Sequence, residues 1–241
     1  MNPRVAFDSL VSSASGVSAR VGLFLATQAD DTKYALLPRS MFAGLSDHRV
    51  LSGDHVVGEW RLLAGSETST ELRRSCVLVS LRRDVFSIRD LRVNGILAGS
   101  ACSMEEAFGR QVRIFAGSNG AVGKVVMAFR PISLAVPNEP PLLLRDTLAI
   151  RFENLSDGDL KLGRLVVTED DNRPLGIILG GDASYCLLAP IHPLLRESRF
   201  RIALVEVPTP ALISFLRENE DRRLRNETAD PRWSIPVPEV A

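Results

Sequence analysis

Short apolar runs, separated by polar or glycine-bearing turns, recur along this 241-residue chain. They are plainest between Leu155 and Leu195. There Leu165 to Val167, Leu175 to Leu179 and Cys186 to Ile191 are divided by Asp170-Asp171-Asn172 with Pro174, and by Gly180-Gly181-Asp182. Runs this short, bounded by turn-forming residues, predict β-strands joined by hairpins. The same pattern predicts strands at Val21–Thr27, Lys33–Leu37, Val56–Leu63, Ser75–Leu81, Gln111–Ala116 and Val125–Phe129. Leu142–Phe152 alternates weakly, and Arg199–Val207 is one more apolar run. Helical patterning is sparse. Val5, Leu10 and Val11 share a possible helix face, Ser103–Phe108 holds a short helical patch, and Pro208 and Pro210 open a helix over Ala211–Arg225. Residues 44–54 and 64–74 read as polar loops, and Pro131–Pro141 as a loop in which proline breaks regular structure. Many short strands with few helices indicate barrels or sandwiches.

Composition narrows the class. A hydrophobic content of 45% and a charged content of 24% describe a globular chain with ample core. The length suits two packed barrels of roughly 100 residues each. The expected organisation is an N-terminal extension (1–19), a first barrel (20–100), a second barrel (101–207), and a C-terminal helix with a proline-rich tail (208–241). A formal net charge of zero provides no global field to draw in nucleic acid or a membrane surface. No run approaches the roughly 18 apolar residues of a membrane span, and Val21–Ala26 is too short for a signal core. Cys76, Cys102 and Cys186 are an odd set with no CxxC spacing. They read as buried structural thiols in a reducing, cytoplasmic setting, with no metal or cofactor expected. Gly117, Gly120 and Gly123 invite a phosphate-loop reading, but the Lys-Ser/Thr ending is missing and a strand pattern follows, so a tight hairpin is expected.

Taken in order, these pieces resemble the trypsin-like serine peptidases, particularly the bacterial ones. The Val21–Leu37 hairpin, the Ser75–Leu81 strand, the spaced glycines, Gly176-Ile177 and Ala189-Pro190-Ile191 carry the resemblance, which runs from Arg20 to Leu195. It implies an all-β fold of two packed six-stranded antiparallel barrels with a C-terminal α-helix. It also implies positions for a catalytic triad. In Tyr34-Ala35-Leu36-Leu37-Pro38-Arg39-Ser40-Met41-Phe42, Ser40 occupies the position of the family's histidine. Ser75 stands at the aspartate. Anchoring on Gly163 puts Leu162 at the nucleophile, and anchoring on Gly158-Asp159 puts Leu160 there. Neither leucine has an atom that can attack a carbonyl, and a serine hydroxyl is no general base near neutral pH. His48, His55 and His192 fall outside the histidine position.

The resulting expectation is a degenerate family member, a pseudoprotease that binds a protein or peptide partner. Its cleft would include Ser40, Leu160, Leu162 and the strand edge at Leu179-Gly180-Gly181. The alternative is an active serine hydrolase with a displaced site, drawing on Ser156, Asp157, Asp159, His48 or His55. A third possibility is a β-domain that works through its C-terminal helix and tail.

Overall fold

The strand pattern is realised from residue 10 onward. Seven strands are laid down before residue 82: β1 (Leu10–Ser13), β2 (Ser18–Arg20), β3 (Phe24–Thr27), β4 (Lys33–Pro38), β5 (Arg49–Ser52), β6 (His55–Leu62) and β7 (Cys76–Leu81). A 3-10 helix, Arg39–Phe42, follows β4, and helix α1 (Thr70–Ser75) runs straight into β7. Helix α2 (Met104–Ala107) precedes β8 (Gln111–Ile114) and β9 (Val122–Ala128). A separate ribbon, β10 (Ile132–Leu134) with β11 (Leu142–Leu144), comes before β12 (Leu148–Phe152), β13 (Leu165–Thr168), β14 (Pro174–Gly181) and β15 (Cys186–Pro190). Helix α3 (His192–Glu197) and β16 (Phe200–Ile202) come last. The structure, a computed structural model, describes residues 5, 7–27, 32–64, 70–82, 84–85, 100–115, 121–128, 132–134, 140–144, 147–153, 162–181, 185–197 and 200–203. The expected C-terminal helix and tail, Leu160 and the Gly158-Asp159 anchor lie outside the described residues, as do Ser156 and Asp157.

Both halves use one strand order. In the second half, β12-β15-β14-β13-β8-β9 closes into a six-stranded barrel. Numbered within that half, the cyclic order is 3-6-5-4-1-2. The first half contains the same sequence in β3-β4-β7-β6-β5-β1, which reads 2-3-6-5-4-1. Only the junction between its first and second strands is left without a ladder. There β2 takes the free edge of β1, and β16 takes that of β3. The result is a curled half-barrel of eight strands whose last member comes from beyond the second barrel. Covering both edges satisfies the backbone groups that closure would otherwise pair. The two-barrel architecture is therefore present, with the first member open and eight-stranded rather than six-stranded and closed.

Several local expectations are corrected. Residues 10–13 form a strand paired with both β2 and β5, not a helix face; Val11 and Ser13 alternate inward while Leu10 stays exposed. The loop assigned to 44–54 contains β5, paired with β6 across a Gly53-Asp54 turn in which Gly53 has a φ of 58°. The 64–74 loop contains the start of α1. The Pro131–Pro141 segment contains β10, because both prolines lie outside the paired residues. Arg199–Val207 contributes β16 to the first half, not to the second barrel.

Each half has its own buried core. One is built on Phe24, Leu37, Met41, Val57, Val77 and Val79, the other on Ile114, Leu148, Ile150, Val166, Ile178 and Leu188. They meet along a seam. The backbones of Gly22 and Gly163 approach so closely that a Cβ on Gly22 would lie 2.3 Å from Gly163 O and Leu165 N. The Arg20 amide donates to Leu162 O at 2.7 Å across the same seam.

Candidate functional site

Ser40 and Ser75, where the resemblance expects a base and an acid, sit on adjoining elements. Pro38 ends β4 with an extended φ of −63° and caps the 3-10 helix that carries Ser40, while Met41 and Phe42 anchor that helix in the first core. Ser75 is the last residue of α1, which packs against the same 3-10 helix. The two hydroxyls are not joined to each other. Ser40 Oγ is sealed from solvent and has no hydrogen-bond partner among the described residues. Ser75, 4% exposed, donates to Leu72 O at 3.3 Å and lies 3.7 Å from Cys76 Sγ. Burial pushes the Cys76 thiol up to about 12, against a smaller opposing pull from Ser75.

Leu162 lies in the turn before β13. Its side chain packs against the first-half core, on the far side of the seam from its own barrel. Gly163, with a φ of 81°, turns the chain there, and its amide donates to Ile178 O at 2.8 Å. Leu179 is 1% exposed, Gly180 is half-buried and Gly181 is exposed. These last residues pair with β15 through Gly180↔Leu187 and Gly181↔Cys186. The ladder of β14 with β13 ends at Ile177, so among the described residues no strand lies beside Leu179–Gly181 on that side. The structure thus brings Ser40 and Ser75 to neighbouring elements, buries Leu179 and leaves Leu162 half-buried. Ser40 and Gly180 are likewise half-buried, and Gly181 is exposed.

The three histidines lie elsewhere. His48 stacks on Trp60 with ring centroids 4.5 Å apart, and its Nδ1–H donates to Trp60 O at 3.0 Å. The other face of Trp60 stacks on Phe42 at 5.1 Å. The loop carrying His48 is fastened by Asp47, whose carboxyl the Arg49 side chain holds down at about 2. His55 is exposed at the start of β6, and His192 opens α3 beside Met104, Glu105 and Arg196.

The acidic hairpin of the second barrel forms as its turn residues require. Asn172 adopts a φ of 54°, and Asp171 accepts from Thr168 Oγ1. Arg110 bridges Asp170 and Asp171, Arg113 donates to Asn172 at 2.6 Å, and Arg173 reaches Glu106 and Ala101 O, both at 2.9 Å. Among the described residues no group of three His, Cys, Asp or Glu side chains is placed to hold a metal ion, and no helix is long and apolar enough to cross a membrane.

Sequence reasoning gave no hint of Phe7, Asp8, Arg20 and Arg164, which assemble at the seam next to Leu162. Asp8 and Arg164 are 156 positions apart. No local pattern marks such a pair.

No protein-family model matches the sequence, and no curated protein matches it. Solved structures do. An α-lytic protease homologue, N4, superposes with a TM-score of 0.60 at 18% identity, covering 82% of this chain and 98% of the other. Thermobifida fusca protease A gives a TM-score of 0.55 at 13% identity, covering 83% and 98%. Cellulomonas bogoriensis chymotrypsin gives 0.55 at 12% identity, covering 84% and 100%. At such low identity the likeness speaks to the fold alone, and it agrees with the repeated strand order and the closed second barrel. This chain has the two-barrel fold of the trypsin-like, chymotrypsin-fold serine proteases.

Proposed function

We propose that the chain is a catalytically inactive protein of this fold that serves as a protein- or peptide-binding module. The observation that carries the reading is the pair of alcohols at Ser40 and Ser75. The resemblance requires a base on the short helix after β4 and an acid at the entry to β7, and those elements do lie together. A hydroxyl with almost no proton affinity near neutral pH cannot activate a nucleophile, and a neutral neighbour cannot stabilise an imidazolium. Losing triad members costs several orders of magnitude in rate. The thiols offer no substitute. Burial raises Cys76 and Cys186 to about 12 and also raises Cys102, so thiolate is scarce near neutrality.

Binding is assigned to the rim of the cleft rather than its centre. Leu179 is buried and Leu162 packs against the first core, whereas Gly180 is half-buried and Gly181 is exposed. An extended peptide could add there as a strand, its amides and carbonyls pairing with the side of β14 that no described strand occupies beyond Ile177. The test is selection of peptides on the full chain, followed by N-methylation of alternate backbone amides in a selected binder. Strand addition predicts loss of binding in one alternation and retention in the other. Equal binding of both methylated forms would overturn the strand-edge reading. Turnover of the selected peptides would overturn the inactive one.

A further inference from the structure

We propose that Phe7 and Asp8 form a strap that holds the turn at residues 162–164, and that release of this strap is the motion by which the turn opens while both halves stay folded. The ring of Phe7 lies edge-on between the halves, 6.1 Å from Phe24 in the first and 5.4 Å from Phe115, which follows β8 in the second. Asp8 is one of two described non-glycine residues in the left-handed region, with a φ of 59°. A residue stays in that conformation only when its surroundings over-determine it. Here every polar group of Asp8 is engaged. Its amide donates to Val21 O at 2.9 Å, and its carbonyl accepts from Arg20 Nη1 at 2.6 Å. Its carboxylate accepts from Arg164 Nε at 3.0 Å and Nη2 at 3.3 Å, with Arg20 Nη1 3.7 Å away. Arg164 is two residues from Leu162, so the fork of its guanidinium ties the turn to the first half by a planar, two-point contact.

The contact is built to open. The side chains of Asp8 and Arg164 are 30% and 13% exposed, so water can enter and compete for the pair. The ladders of the second barrel do not depend on it, since β13 keeps both its neighbours, β8 and β14. Loss of the strap should therefore loosen a few residues and leave both cores intact, the signature of a low-energy local opening. This inference stands independently of whether the site is catalytic.

The test is residue-resolved amide hydrogen exchange on the full chain with Asp8→Asn, Arg164→Gln and the double variant. The amides of Arg20 and Gly163, which donate across and beside the seam, should exchange about tenfold faster in each single variant, while those of the β8–β13 ladder keep their wild-type rates. The double variant should be no faster than either single one, because both changes cut the same contact. Unchanged exchange at Arg20 and Gly163, additive effects in the double variant, or acceleration spread evenly over the second barrel would each overturn the strap.

Discussion

Replacing Gly22 with alanine tests the seam between the halves directly. The new Cβ would meet Gly163 O and Leu165 N at 2.3 Å, against the 3.4 Å or more of ordinary contact. Both obstacles are backbone atoms of the other half, so no side chain can swing away. Relief requires the halves to part by about 1 Å, which stretches the Arg20 N to Leu162 O bond beyond hydrogen-bond range. One lost buried hydrogen bond costs about 1 kcal/mol, and the loosened packing adds about 2 kcal/mol. The sum, about 3 kcal/mol, corresponds to a fall in melting temperature of roughly 6–12 °C for a chain of this size. Two companion variants separate the causes. Gly16 has a φ of 84° and nothing within 4 Å, so Gly16→Ala carries only a backbone penalty of about 1 kcal/mol. Gly163 has a φ of 81° and a Cβ position 2.2 Å from Arg20 O, so Gly163→Ala carries both penalties and should be the worst of the three. Gly22→Ala and Gly163→Ala together should cost less than their sum, since the first change already parts the surfaces. The assay is thermal and chemical denaturation of the full chain followed by circular dichroism. A Gly22→Ala protein that melts within about 2 °C of wild type would refute the close seam.

Further expectations follow from single sites. Leu162→Ala should destabilise by about 2 kcal/mol in urea denaturation, because the side chain packs on the first core; a near-zero effect would put it in an open cleft instead. Ser103→Ala should cost about 1 kcal/mol, since Ser103 and Glu106 form both arms of a capping box on α2, and Ser103→Thr should recover most of it. Cys76 and Cys186 hold their protons to about 12 in the folded chain, well above an unfolded thiol. The native state then binds more protons than the unfolded one through the interval from about 9 to 12, so stability should fall as pH rises across it, and a Cys76→Ala/Cys186→Ala protein should show a shallower fall. The same thiols should react with a disulfide reagent at pH 8 only after denaturant is added.

Much of the fold was legible because the chain advertises its strands locally. The runs at Lys33–Leu37, Val56–Leu63 and Leu175–Leu179 became β4, β6 and β14 with small shifts at their ends. Asp171 and Asn172 announced a hairpin and made one. What was illegible depended on partners far away in sequence. β1 and β5 each have only two apolar residues, too few to signal a strand without the neighbour that buries one face. The pairing of β16 with β3 joins residues about 175 positions apart, and nothing in Phe200-Arg201-Ile202 says which half it will join. The site divides the same way. Order along the chain led to Ser40 and Ser75, and their elements do adjoin. That the leucine at 162 would turn into the opposite core, and that Asp8 would hold Arg164 beside it, required the fold itself.

The most direct trial of the central claim is the intact mass of the folded chain after exposure to excess fluorophosphonate. No covalent adduct is predicted, because serines, Ser40 and Ser75, stand where the resemblance expects the histidine and the aspartate, and neither hydroxyl can act as a general base near neutral pH. One equivalent of adduct, abolished by replacing a single serine, would contradict it.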